Sequence, residues 1–271
     1  MEGIADFQDK HTLDSTTLAG GRKRQHTRRN IAITLWIIGF LALMVASVIA
    51  HLHPAPWPID LQTTITLQYL QLPSWVSTPI VWASIVDDVL PSLITFIVWF
   101  VVLSLIGVVV WHQGGSPIPW FVTAIFVSLG SGVMNALDGL IGMIVSRPRP
   151  SSPLIHISMP VAVHSFPSGH VENDVVYLGF VLYLSLSRPV CQWRYRWVLI
   201  PFQLYAVLNI LLIGYSRVLE GSHWLTDVLG GYLAGALWLV LLILLYCWTL
   251  GRLTKWHAKR LQEKPAQTQE A

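Results

Sequence analysis

The chain has 271 residues, of which 54% are hydrophobic and only 11% charged, whereas a soluble domain carries about 25% charged residues. That balance excludes an ordinary soluble globular protein. The net charge of +3 does not point to nucleic acid, because the basic residues gather beside apolar runs instead of forming one patch.

A polar tail, residues 1–30, precedes the first apolar run. No small-residue cleavage site follows promptly, so the first run reads as a signal anchor. Six runs approach or exceed the roughly 20 residues that cross a bilayer as a helix: 31–50, 89–111, 120–145, 171–187, 198–215 and 225–248. Their apolar residues are continuous instead of alternating, which predicts helices and not barrel strands. The expected fold is therefore all-α, a six-transmembrane-helix bundle over residues 31–248, followed by a second polar tail, 249–271. The fourth run is the shortest and opens on Glu172 and Asp174.

Between the first two runs, His51 to Asp88 holds no Lys or Arg. Ile59, Ile65, Tyr69 and Leu72 recur at roughly helical spacing, and Trp57, Trp75 and Trp82 suit the headgroup level. An interfacial helix on the outer leaflet is expected there; an irregular packed loop is the alternative. His51 and His53 lack a nearby carboxylate or Cys and read as interfacial polar residues, and His156 and His164 as loop residues.

Fourteen of the 17 Lys and Arg residues lie before the first run, between the fourth and fifth, or after the sixth. With six spans these segments share one side, which the positive-inside rule makes the cytoplasm. Both termini are then cytoplasmic, as are Cys191 and Cys247, whose thiols stay reduced there. The other three, Arg147, Arg149 and Arg217, fall on the outer side.

Those three belong to polar blocks at helix ends: "SRPRP" (146–150), "SFPSGH" (165–170) and "SRVLEGSHWLTD" (216–227). Guanidinium forks match phosphate oxygens, so Arg147, Arg149 and Arg217 in one layer suit a multiply charged anion. Gly169 allows close backbone approach, and the start of the fourth helix offers free N–H groups near Ser168 and Gly169. His223 and Asp227, four apart, fall on one helix face, where the carboxylate can orient the imidazole. An imidazole so fixed is a candidate nucleophile, leaving His170 to protonate a leaving oxygen. Glu172 suits a helix N-terminus and stands near enough to bear on His170. Asp138 is a rare ionisable residue inside a span and is expected to face the bundle interior. It pairs either with an active-site Arg or His or with a neighbouring helix.

Pro167, Ser168, Gly169 and His170, together with Ser216, Arg217, His223 and Asp227, resemble the second and third signature motifs of the type 2 phosphatidic acid phosphatase superfamily, PSGH and SRxxxxxHxxxD. Arg149 and Pro150 match the end of the first, KxxxxxxRP. The Lys of that pattern falls on Gly142, and Arg147 is the nearest replacement cation. The resemblance implies attack by His223 on phosphorus, a phosphohistidine, protonation of the leaving group by His170, and hydrolysis of the intermediate by water. It implies that Asp227 holds the His223 tautomer, with Ser216 in support, and that no metal or other cofactor is needed.

A phosphate pocket at the outer mouth of a bundle suits a headgroup whose tail stays in the bilayer. The expected substrate is therefore a lipid phosphate monoester or a polyprenyl pyrophosphate, with membrane lipids as the other partners. A lipid phosphotransferase using the same intermediate, or a catalytically weakened anion-binding membrane protein, are the alternatives.

Overall fold

The computed structural model describes residues 27, 29–70, 72–86, 89–158 and 164–267. Most of the predicted N-terminal tail lies outside them. Every regular element among the described residues is helical: α1 (Arg29–Leu52), α2 (Pro58–Tyr69), α3 (Ser74–Val86), α4 (Val89–His112), α5 (Ile118–Val145), α6 (Gly169–Leu186), α7 (Ile200–Leu219) and α8 (Leu225–Gln267). The chain divides into two units, 1–44 and 45–271, the first containing the leading part of α1.

Among the described residues, five stretches are long and apolar enough to cross a membrane: Arg29–Leu52, Leu90–His112, Ile118–Val145, Arg196–Leu219 and Leu225–Arg260. They match five of the six predicted runs. The remaining run is also a helix, α6, but it has 18 residues and carries Glu172 and Asp174. Those residues are tolerated because α6 is enclosed by α5, α7 and α8, with ten of its residues buried. Asp174 accepts from Asn209 Nδ2 on α7 at 2.6 Å. By contrast, α4 exposes Leu93, Ile94, Ile97 and Val101, the surface of a helix solvated by lipid.

Where one interfacial helix is expected, the structure has two. α2 opens with Trp57 as its N-cap and Pro58 in the first turn, where a missing N–H costs nothing; the Trp57 N–H donates to Asp60. After Pro73, α3 runs on to pack against α7. The predicted C-terminal tail also differs. α8 continues to Gln267 because the tail is rich in strong helix formers, and Arg252 and Arg260 each stack over a Trp four residues earlier.

Candidate active site

Four helix ends meet on one side: the C-termini of α5 and α7 and the N-termini of α6 and α8. α5 stops at Ser146, which adopts a left-handed conformation and donates its N–H to Gly142 O at 2.8 Å. Two prolines then hold 147–150 extended. The segment leading into α6 seats on α8 at Gly230 and Gly231. A Cβ on Gly230 would lie 2.5 Å from the Phe166 ring, and one on Gly231 2.7 Å from Ser168 O. Only glycine permits that approach.

His223 lies in the turn before α8 and is 1% exposed. Its Nδ1 is 2.7 Å from the carbonyl oxygen of Ser165. A carbonyl only accepts, so Nδ1 carries the proton and Nε2 the lone pair. That Nε2 is buried and has no hydrogen-bond partner among the described residues. Burial, then the Arg149 cation, push the imidazole well below its ordinary range, so His223 is neutral near pH 7. The His170 ring, in the first turn of α6, has its centroid 6.5 Å from that of His223.

Asp227 is wholly buried but does not bond the imidazole. His223 sits ahead of the helix, so the spacing of four does not place both on one helical face. The Asp227 carboxylate instead accepts from Ser165 Oγ at 2.5 Å, Arg147 Nη1 at 2.5 Å and the Trp224 N–H at 2.9 Å. Ser165 therefore mediates, its hydroxyl on Asp227 and its carbonyl on His223, while its N–H donates to Arg147 O at 2.8 Å.

Arg147 departs from the expected phosphate-binding role. It is 1% exposed and bridges two carboxylates, Asp227 and Asp60 of α2, the latter at 2.8 Å. It also donates to Thr226 Oγ1 at 2.7 Å. Two buried carboxylates outcompete a solvated anion for its fork. Arg149 and Arg217 remain near the histidines. Arg149 is half-buried, with Nη1 donating to Ser222 O at 3.0 Å. Arg217, buried, is held by Ser84 Oγ of α3 and by Glu220 at 3.3 Å.

The Ser168 N–H, expected to face an anion, instead donates to Asp227 O at 3.1 Å. The buried Ser168 hydroxyl has no partner among the described residues. Gly169 opens α6, where first-turn amides have no intrahelical acceptor. Ser216 donates to Glu220 Oε1 at 3.1 Å. Glu172 is wholly buried and accepts from Asn135 Nδ2 at 3.2 Å. Asp138 is buried beside Gly169 and forms no ion pair among the described residues. Gly142 lies under the same loop, where an added Cβ would make ordinary contacts of 3.5 Å with Phe166 O and 3.6 Å with His164 Cβ.

The site also contains residues the sequence reading passes over. Ser165 stands inside the quoted SFPSGH block. Asp60 has one sequence signal, an acid in the first turn of a helix within a segment free of Lys and Arg. Thr226 stands inside the quoted 216–227 block, and Ser84 has no signal.

The PAP2 superfamily family model matches residues 119–250, which includes α5 to α7, most of α8 and every motif residue named above. Over those residues the chain is similar to the PAP2 superfamily. Phosphatidylglycerophosphatase B of Bacillus subtilis is 33% identical over 146 residues, 46% of this chain and 66% of that PAP2-type relative. An undecaprenyl-diphosphatase of Sulfolobus acidocaldarius is 36% identical over 73 residues, 27% of this chain and 29% of that protein. The matches thus span just under two thirds of the first relative and less than a third of the second. The crystal structure of a transmembrane PAP2 type phosphatidylglycerolphosphate phosphatase from Bacillus subtilis superposes with a TM-score of 0.55 at 18% identity, over 76% of this chain and 93% of that one. The fold is shared.

Proposed function

We propose that the protein is an integral-membrane phosphatase that hydrolyses a lipid phosphate monoester or a lipid pyrophosphate at the extracytoplasmic face, through a phosphohistidine on His223. The observation that carries this reading is the His223 Nε2, buried, neutral and without a protein partner, on a ring whose other nitrogen is anchored. His170 lies beside it, the two ring centroids 6.5 Å apart.

In the first step the Nε2 lone pair forms a bond to phosphorus as the bond to the leaving oxygen breaks. His170 gives that oxygen a proton. Arg149 and Arg217, with the Ser168 hydroxyl and the Gly169 amide, neutralise charge on the equatorial oxygens. In the second step water attacks phosphorus, His170 takes up its proton, and the N–P bond breaks to release phosphate and neutral His223. Asp227 and Ser165 act by holding the tautomer.

Two features support the membrane setting. α6, enclosed by three apolar helices, serves as the sixth span. The connection from α6 to α7 holds Arg188, Arg194 and Arg196, and the far part of α8 holds Arg252, Lys255, Lys259 and Arg260. Both lie at the helix ends away from the site, which favours an outer-face site by the positive-inside rule. The names of the two curated relatives support the substrate class: one is a phosphatidylglycerophosphatase, the other an undecaprenyl-diphosphatase.

The test is phosphate release by purified protein in detergent containing EDTA, from phosphatidate and from a polyprenyl diphosphate, with His223→Ala as control. Release that the substitution abolishes supports the reading. An inactive wild type on both substrates overturns it, and phosphoryl transfer to an added alcohol in place of water would make the protein a transferase.

A further inference from the structure

Asp60 lies on α2, outside residues 119–250 that the family model matches, yet it is wholly buried against the site. One carboxylate oxygen accepts from the Thr226 N–H at 2.9 Å, and the Thr226 hydroxyl lies 2.9 Å from both. The other accepts from Arg147 Nη2 at 2.8 Å and from the Trp57 N–H at 3.2 Å. Asp60 therefore does two things from a neighbouring helix. It supplies the acceptor that an orphan N–H at the α8 N-terminus requires, placing negative charge where the helix dipole favours it. It also fixes one end of the Arg147 fork, whose other end grips Asp227 at 2.5 Å.

We propose that Asp60 is a positioning residue for the His223 nucleophile, an inference that rests on the phosphatase reading above. The connection is continuous, and every link from Asp60 through Arg147 to His223 is buried. Asp60 holds Arg147 and Thr226; Arg147 holds Asp227; Asp227 holds the Ser165 hydroxyl; the Ser165 carbonyl holds His223 Nδ1. Without Asp60, Arg147 loses one of its two carboxylates, and the Nη2 end of its fork loses its acceptor. Asp227 then loses a fixed donor, and the 165–168 segment that carries the Ser165 carbonyl loses its registration on α8. A shift of about 1 Å at a reacting atom can lower a rate about 100-fold. Asp60 touches neither histidine, so it acts on the rate of attack and not on the affinity for substrate. The purpose of a carboxylate on α2 is then clear: the surface helix locks the α8 N-terminus and the nucleophile into one frame.

The experiment compares wild type, Asp60→Asn and Thr226→Val as full-length protein in detergent. It measures kcat, KM and the rate of acid-labile phosphoenzyme formation by rapid quench. ¹⁵N-histidine spectra follow the His223 tautomer, with the His223→Ala spectrum assigning its resonances. Asp60→Asn is expected to lower kcat and phosphoenzyme formation about 10- to 100-fold with KM within about twofold of wild type. The His223 signal is expected to lose its single Nδ1–H tautomer. Thr226→Val, which removes one hydroxyl, is expected to show the same pattern at about fivefold, and it decides the matter if Asp60→Asn does not fold. A purely structural role would lower the thermal midpoint and leave both the tautomer and the kcat of folded protein unchanged; that result overturns the inference. If wild type hydrolyses neither substrate, the phosphatase reading fails, and the tautomer spectra still decide whether Asp60 positions His223.

Discussion

Asp227 and His223 stand four positions apart and do not touch; Ser165 lies between them, giving its hydroxyl to the carboxylate at 2.5 Å and taking the imidazole N–H on its carbonyl at 2.7 Å. The carboxylate thus controls the imidazole through a peptide group, a stiffer connection than a side-chain rotor because the backbone of 165–168 is pinned at both ends.

Ser165→Ala keeps the carbonyl that orients His223 and removes only the hydroxyl. One buried carboxylate lone pair loses its donor, which costs about 1–3 kcal/mol. The expected result is a fall in kcat of roughly 5- to 100-fold with little change in KM. Steady-state kinetics on the better of the two lipid substrates measures it; wild-type kcat in the variant would show that the hydroxyl has no part in holding the site.

Arg147 and Arg149, two residues apart, should fail in opposite ways. Arg147→Ala leaves Asp60 and Asp227 buried with no cation, a change worth about 3–5 kcal/mol of stability, so the protein should melt lower or fail to purify. Arg149→Ala should purify with near wild-type stability and show its defect as weakened substrate binding and a lower kcat/KM. Thermal melting in detergent beside kinetics separates them.

Gly142→Lys should be tolerated, because its Cβ would meet its neighbours at 3.5 Å or more. An added ammonium that reaches the phosphate forms a charge-assisted hydrogen bond worth about 1.5–3 kcal/mol, so kcat/KM is expected to rise about tenfold or more. Unchanged kcat/KM in a folded variant would mean that the side chain at 142 does not reach the substrate.

The pH dependence follows from His223. Attack needs the neutral imidazole, and burial with Arg149 holds its pKa well below the ordinary 6.5. The acid limb of kcat/KM contributed by this group should therefore lie well below pH 6.5, and Arg149→Ala, by removing a cation, should move it upward. The unfolded chain takes up the proton near 6.5 while the folded one resists it. This contribution to stability is therefore complete above that pH and is lost as pH falls from 6.5 towards the lowered value. Melting curves between pH 7 and pH 5, taken on wild type and His223→Ala, measure it.

The helices were legible because lipid solvation demands long unbroken apolar runs, and α4 and α5 show this plainly. The ends of elements were less so. α8 continues through a tail that reads as polar and separate, since helix propensity and not hydrophobicity carries it from 249 to 267. In the site, His170, His223, Arg149 and Arg217 come together as their spacing suggests. Arg147 does not join them, because its partner Asp60 is 87 residues away, and no local pattern encodes a pairing across that distance. For the same reason the sequence shows His223 and Asp227 at helical spacing but not that the helix begins at Leu225.

The enclosure of α6 bears on how the chain enters the bilayer. An acidic residue within a span is costly, and α6 carries Glu172 and Asp174 in its opening turns with only 18 residues to offset them. Their compensation comes from Asn135 of α5 and Asn209 of α7, one made before α6 emerges from the ribosome and one after. As the proposed sixth span, α6 is expected to enter the bilayer together with α7, which supplies Asn209 to Asp174.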